Sequence, residues 1–123
     1  MHIQSKILIF AKNLVTNLLK LSIMNKIERE MVDAVNNRRS WCKDNTRVII
    51  DTTFGETQVH VLLHGNVIYI DNGKCKYYSF AGWDTQTTRS RLRALGLPIV
   101  SKKGKRYAYG AELPTDASFF SFN

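Results

Sequence analysis

A chain of 123 residues has room for one domain around one modest core. Its balance of apolar and charged residues is that of a folded globular protein and excludes a disordered or fibrous class, and two cysteines are too few for a disulfide scaffold. The net charge of +8 is unevenly placed: between Gly73 and Gly110 nine basic residues face Asp84 alone, while the rest of the chain is charge-balanced. A positive field concentrated in this way points to a polyanionic partner.

At the start of the chain, Ile3, Ile7, Phe10, Leu14, Leu18 and Leu21 recur about one helical turn apart, with Lys6, Asn13, Asn17 and Lys20 opposite. This spacing predicts an amphipathic helix. Its lysines leave Ile7 to Ala11 as the longest apolar run, too short for a membrane span. No cleavage site follows a clean apolar run, which argues against a signal peptide. The apolar face needs cover, from the domain or from a second copy in a homodimer; the membrane surface is the alternative. Met24 opens "MNKIEREMVDAV", which reads as a natural start, so a third reading makes residues 1–23 an upstream extension. The division is therefore 1–23, an amphipathic helix or extension, and 24–123, a single α+β domain.

From Asn25, the positions Ile27, Met31, Val32 and Val35 predict a second helix, with acids early in it and "NNRRS" ending it. Trp41 and Cys42 then begin a connection, with Trp41 expected as an anchor under a sheet. Four β-branched or alternating runs follow: "TRVIIDTTF", "TQVHVLLHG", "NVIYIDNG" and "KCKYYSFAG". The stretch His64–Gly65–Asn66 reads as a tight turn and Asn72–Gly73 as a two-residue hairpin, so the runs form a four-stranded antiparallel meander. Asp84 or Thr85 caps a third helix running to about Leu95, with Leu92 and Leu95 facing inward. Gly96 and Pro98 end it. "PIVSKKGKRYAYG" then reads as strand, basic turn, strand, with Tyr107 and Tyr109 alternating on the return. The predicted fold class is α+β: N-terminal helices packed on an antiparallel β-meander, followed by a basic helix and a C-terminal β-hairpin.

Chemistry-bearing residues are sparse. His60 and His64 share a strand parity, but no third ligand stands at metal-binding spacing. Cys42 and Cys75 fit no redox or zinc pattern and are expected reduced. There is no P-loop and no dinucleotide fingerprint. The sequence thus predicts no enzyme activity, no metal and no cofactor. Trp83 is expected in the core, and Thr85, Thr87 and Thr88 in local caps.

Two resemblances add to this reading. "TRSRLRALGLPIVSKKGKRYAYG" resembles the recognition helix and wing of small winged helix-turn-helix domains from phage and prophage proteins, over roughly Thr85 to Gly110. The resemblance implies that Thr88, Arg89, Arg91 and Arg93 face nucleic acid and that Lys102, Lys103, Lys105 and Arg106 form the wing tip. A winged helix has another helix just before the recognition helix, whereas strands precede it here. More widely, "NTRV", "LHGNVIYI" and "GWDTQTTRSRLRAL" resemble a group of small phage-encoded proteins that share an "LHGN" hairpin and a "GW-x-T-x-TT-x-x-RL" segment. This resemblance implies a phage accessory or early gene product, expected in the cytoplasm of the infected bacterium. Nucleic-acid binding through the basic helix and hairpin is its first expected function. The alternative is an inhibitor that sets the same surface against a host defence protein, of anti-CRISPR or anti-restriction type, or a replication protein that processes nucleic acid.

Overall fold

A computed structural model describes residues 24–122; the predicted helix over residues 1–23, and any homodimer through it, lie outside the described residues. Helix α1, Lys26–Asn36, starts where the Asn25 side chain accepts the Glu28 backbone N–H at 2.8 Å. Its apolar stripe puts Met31, Ala34 and Val35 in the core.

Five antiparallel strands follow in meander order: β1 (Trp41–Lys43), β2 (Thr46–Asp51), β3 (Gln58–Leu63), β4 (Asn66–Asp71) and β5 (Lys76–Tyr78). The meander is thus one strand longer than its sequence predicts. Trp41 and Cys42 do not begin a connection; they pair with Val48 and Arg47. One face stacks Val48, Val61, Tyr69 and Tyr78 across four strands, and this face meets the helices. The cross-strand partners Ile49, His60, Ile70 and Tyr77 stand half-exposed on the other.

Two turns shape the outcome. His64 and Gly65 both have positive φ, which a two-residue turn between right-twisted strands requires. The predicted two-residue turn at Asn72–Gly73 is instead a four-residue loop. The Asn72 side chain accepts the backbone N–H groups of Lys74 and Cys75, and Asp71 accepts that of Gly73, so these local bonds outcompete a tighter turn. A bulge between β3 and β4 shifts the register at Val61 and Leu62, which turns both Ile68 and Tyr69 inward.

Helix α2, Gln86–Ala94, is capped by Thr85, whose hydroxyl accepts the Thr88 N–H at 3.1 Å. Strands β6 (Val100–Lys102) and β7 (Lys105–Ala108) form the expected basic hairpin around Lys103–Gly104, again with positive φ at both turn residues. The sequence reading missed β8, Ala111–Glu112, which makes the hairpin a three-stranded sheet. Ala108 and Leu113 fix this sheet to the common core. Finally, Tyr78 and Phe120 exchange two backbone hydrogen bonds at 2.9 Å, so the C-terminal segment covers the outer edge of β5.

Candidate nucleic-acid interface and the motif cavity

The eight residues singled out from the sequence do not form one surface. Thr88 is 1% exposed and Arg91 5% exposed. Both belong to the interior, and the expectation that they face nucleic acid is corrected on that ground. Thr88 shares a 2.9 Å hydroxyl contact with the capping Thr85. Arg91 forms a buried ion pair with Glu28 of α1 at 2.9 Å and donates from Nε to Thr46 Oγ1 at 3.1 Å. A buried guanidinium keeps its charge only with such partners.

Arg89 and Arg106 are held by one carboxylate. Asp84 accepts from Arg89 Nη1 at 2.7 Å and from Arg106 Nε at 3.0 Å, which docks the C-terminal sheet on the head of α2. Burial acts to raise the Asp84 pKa, but hydrogen bonds and attraction from Arg89 and Arg106 outweigh it and hold the carboxyl below its ordinary 3.8. The folded value lies below the unfolded one. The stabilisation is therefore complete above the ordinary value and is lost as pH falls through the lowered folded value. Asp84→Asn should cost about 1–2 kcal/mol at neutral pH, given partial solvent screening. It should also flatten the acid limb of a stability–pH curve measured by urea unfolding; an unchanged acid limb would show that Asp84 does not hold the sheet.

Lys102, Lys103 and Lys105 remain exposed, with Lys105 lying 3.7 Å from Glu112. Arg93 is exposed at the foot of the hairpin, its Nε donating to Ile99 O at 3.1 Å. Direct pairing of Val100 with Tyr107 and of Lys102 with Lys105 places all four on one outward face. Tyr109, expected to alternate with Tyr107 on the return strand, instead lies in the turn after β7 with positive φ, 69% exposed and beside Phe122, with ring centres 5.1 Å apart. Sequence reasoning noted both tyrosines but left them out of the site; their alternation beside lysines was the available signal.

The "LHGN" and "GWDTQTT" segments, apart in sequence, meet in space. The "LHGN" turn and the segment Phe80 to Thr88 flank an open-sided cavity of about 460 Å³. Leu63, Ile68, Phe80 and Ala81 line it, and Trp83 stands beside it. Trp83 was expected in the core; it is 64% exposed, because Ala81 and Gly82 both take positive φ and turn the chain outward there.

Among the described residues, no three His, Cys, Asp or Glu side chains gather as a metal site, and no helix is long and apolar enough to cross a membrane. Two helices, separated by the five-strand meander, are described, so α2 has no helix immediately before it as a winged helix-turn-helix would. Neither the curated proteins nor the solved structures contain a match to the chain. The family model described as Kyanoviridae Gp96 protein matches residues 24–119, which begins at Met24 and takes in both helices, both sheets and the motif cavity. This chain belongs to that family of phage proteins.

Proposed function

We propose that this phage protein is a non-enzymatic nucleic-acid-binding protein and that the outward face of its C-terminal sheet is the contact surface. The observation that carries the reading is the side-by-side placement of Lys102 and Lys105 with Tyr107, with Lys103 at the tip, Arg93 at the foot and Tyr109 exposed in the turn that follows. Lysines follow a phosphate backbone, and exposed aromatic rings accept stacked bases. Glu112 is the acid paired on this sheet, so the face stays positive. The surface differs from a recognition helix: α2 spends Thr88 and Arg91 on the core and Arg89 on Asp84, which favours the sheet over the helix as the reader.

Fluorescence anisotropy with a labelled single strand and a labelled duplex, across several salt concentrations, tests this reading. Each phosphate contact should add roughly 0.7 to the salt slope on a single strand and 0.9 on a duplex. Reversing Lys102 and Lys103 together to glutamate should weaken binding about tenfold or more and flatten the slope, while the fold holds, since both are exposed. Absence of binding to either form at low salt would overturn the proposal and put the host-protein inhibitor in its place.

A further inference from the structure

We infer that the ligand is a single-stranded nucleic acid and that it leaves the lysine face of the C-terminal sheet by crossing Tyr109, with one base stacked on that ring and the backbone passing from Lys102 to Lys76. The inference rests on the nucleic-acid reading, names the strandedness of its ligand and carries the contact surface onto β5.

Two clefts meet at Tyr109. The larger, about 420 Å³, is lined by Val100, Lys102, Tyr107 and Tyr109. It is part of the lysine face itself, because Lys102 pairs with Lys105 and Val100 with Tyr107 on the same side of the hairpin. The smaller, about 80 Å³, lies between Tyr109, Phe122 and Lys76, with Tyr78 and Leu97 as its buried floor. Tyr109 is thus a wall common to both, with one lysine in each cleft. These walls are open to solvent: Val100 is 51% exposed, Phe122 is 40% exposed, and both lysines are exposed. Among the described residues, no Asp or Glu lines either cleft. The charge along the path is therefore of one sign, as a phosphate backbone requires.

The ring at the crossing is held in place. Positive φ at Tyr109 turns it out of the strand, and Phe122 packs against it. Phe122 meets Phe120 edge-on at 6.0 Å, and Phe120 is stacked with Tyr78 at 6.2 Å and bonded to its backbone. This chain of rings ties Tyr109 to the core. A ring fixed before binding loses little freedom when a base stacks on it. The larger cleft falls in the range of small-ligand sites, roughly 300–1,000 Å³, and has room for a base beside the ring. The smaller does not, so there the backbone passes and Lys76 meets a phosphate. A duplex keeps its bases paired and stacked on one another and presents no free base face to Tyr109.

Three variants test the inference by anisotropy with a labelled dT oligomer and a duplex of the same length, at several salt concentrations. Tyr109→Asn removes the ring at a positive φ that asparagine tolerates, Tyr109→Phe keeps the ring, and Lys76→Ala removes the exposed charge. Tyr109→Asn should bind the oligomer about tenfold more weakly with the salt slope unchanged, while its duplex binding and both affinities of Tyr109→Phe match the parent. Lys76→Ala should lower the single-strand slope by roughly 0.7 and leave the duplex slope alone. Photocross-linking with an oligomer carrying 5-iodouracil should label Tyr109. Single-strand binding unchanged in Tyr109→Asn and Lys76→Ala would overturn the path over Tyr109 and leave the lysine face standing. Equal weakening of duplex and single strand in Tyr109→Asn would overturn the stacked base. Polyglutamate that displaces the oligomer from the parent chain, and itself binds Tyr109→Asn weakly, would give the clefts to an acidic peptide instead. A parent chain that binds neither form at low salt would remove the nucleic-acid reading and this inference with it.

Discussion

Arg91→Leu is expected to destabilise the protein by about 3–5 kcal/mol, the effect of leaving a buried carboxylate without its counter-ion. The side chains of Arg91 and Glu28 are 6% and 5% exposed, and their atoms come within 2.9 Å. Ser90 also donates to the same Glu28 oxygen, and Thr46 accepts from Arg91 Nε, so the pair ties α1, α2 and β2 together. Leucine would leave Glu28 buried with the Ser90 hydroxyl and no cation. The companion double variant, Glu28→Leu with Arg91→Leu, removes both charges and should recover most of the loss, because two apolar side chains carry no desolvation penalty. Urea unfolding of the parent, the two single variants and the double variant measures the coupling. Single variants within about 1 kcal/mol of the parent would refute a structural role for the pair. At temperatures where Arg91→Leu remains folded, its affinity for nucleic acid should match that of the parent, unlike the Lys102 and Lys103 reversal.

The second large effect belongs to Phe80. Its ring is fully buried, packs in stacked orientation 6.4 Å from Phe120, and lines the motif cavity. Phe80→Ala removes most of a side chain from a place where the sheet, α2 and the C-terminal segment meet, and should cost about 3–5 kcal/mol. For a domain of this size each kcal/mol lowers the melting temperature by roughly 4–8 °C, so a fall of at least about 12 °C is the expected reading in a thermal melt. Phe80→Leu should show less than half of that loss, since it keeps the site apolar and largely filled. Equal melting temperatures for the alanine variant and the parent would show that the cavity has room to collapse around the missing ring.

Local pattern carried most of the architecture. The helical spacing of Ile27, Met31 and Val35 gave α1, the alternation through Thr46 to Tyr78 gave the meander, and Thr85 before "QTTRSRL" placed the cap of α2. Strands β1 and β8 escaped because three and two residues are too few to display a period. The site was less legible for a different reason. Arg89, Arg91 and Arg93 look alike in the sequence, yet their roles depend on partners elsewhere in the fold. Arg91 owes its burial to Glu28, 63 residues earlier, and Arg106 owes its loss from the surface to Asp84, 22 residues earlier. Asp84 was visible as the lone acid in a basic run, but a carboxylate that solvent could equally have held gave no sign of its two arginines. The meeting of the "LHGN" and "GWDTQTT" segments around one cavity is likewise a property of the folded meander and of its bulge at Ile68.

The bonding of Phe120 to Tyr78 has a consequence for the order in which the protein becomes finished on the ribosome. Every strand of the large sheet has been synthesised by residue 78, but the backbone groups of Tyr78 that face outward stay unmatched until residue 120 has emerged. An open strand edge of this kind recruits other extended chains. During that interval neighbouring nascent chains on one message present the same open edge to one another. Emergence of Phe120, rather than completion of the five strands, is thus the step that ends the exposure, and a product truncated before Phe120 retains an adhesive edge.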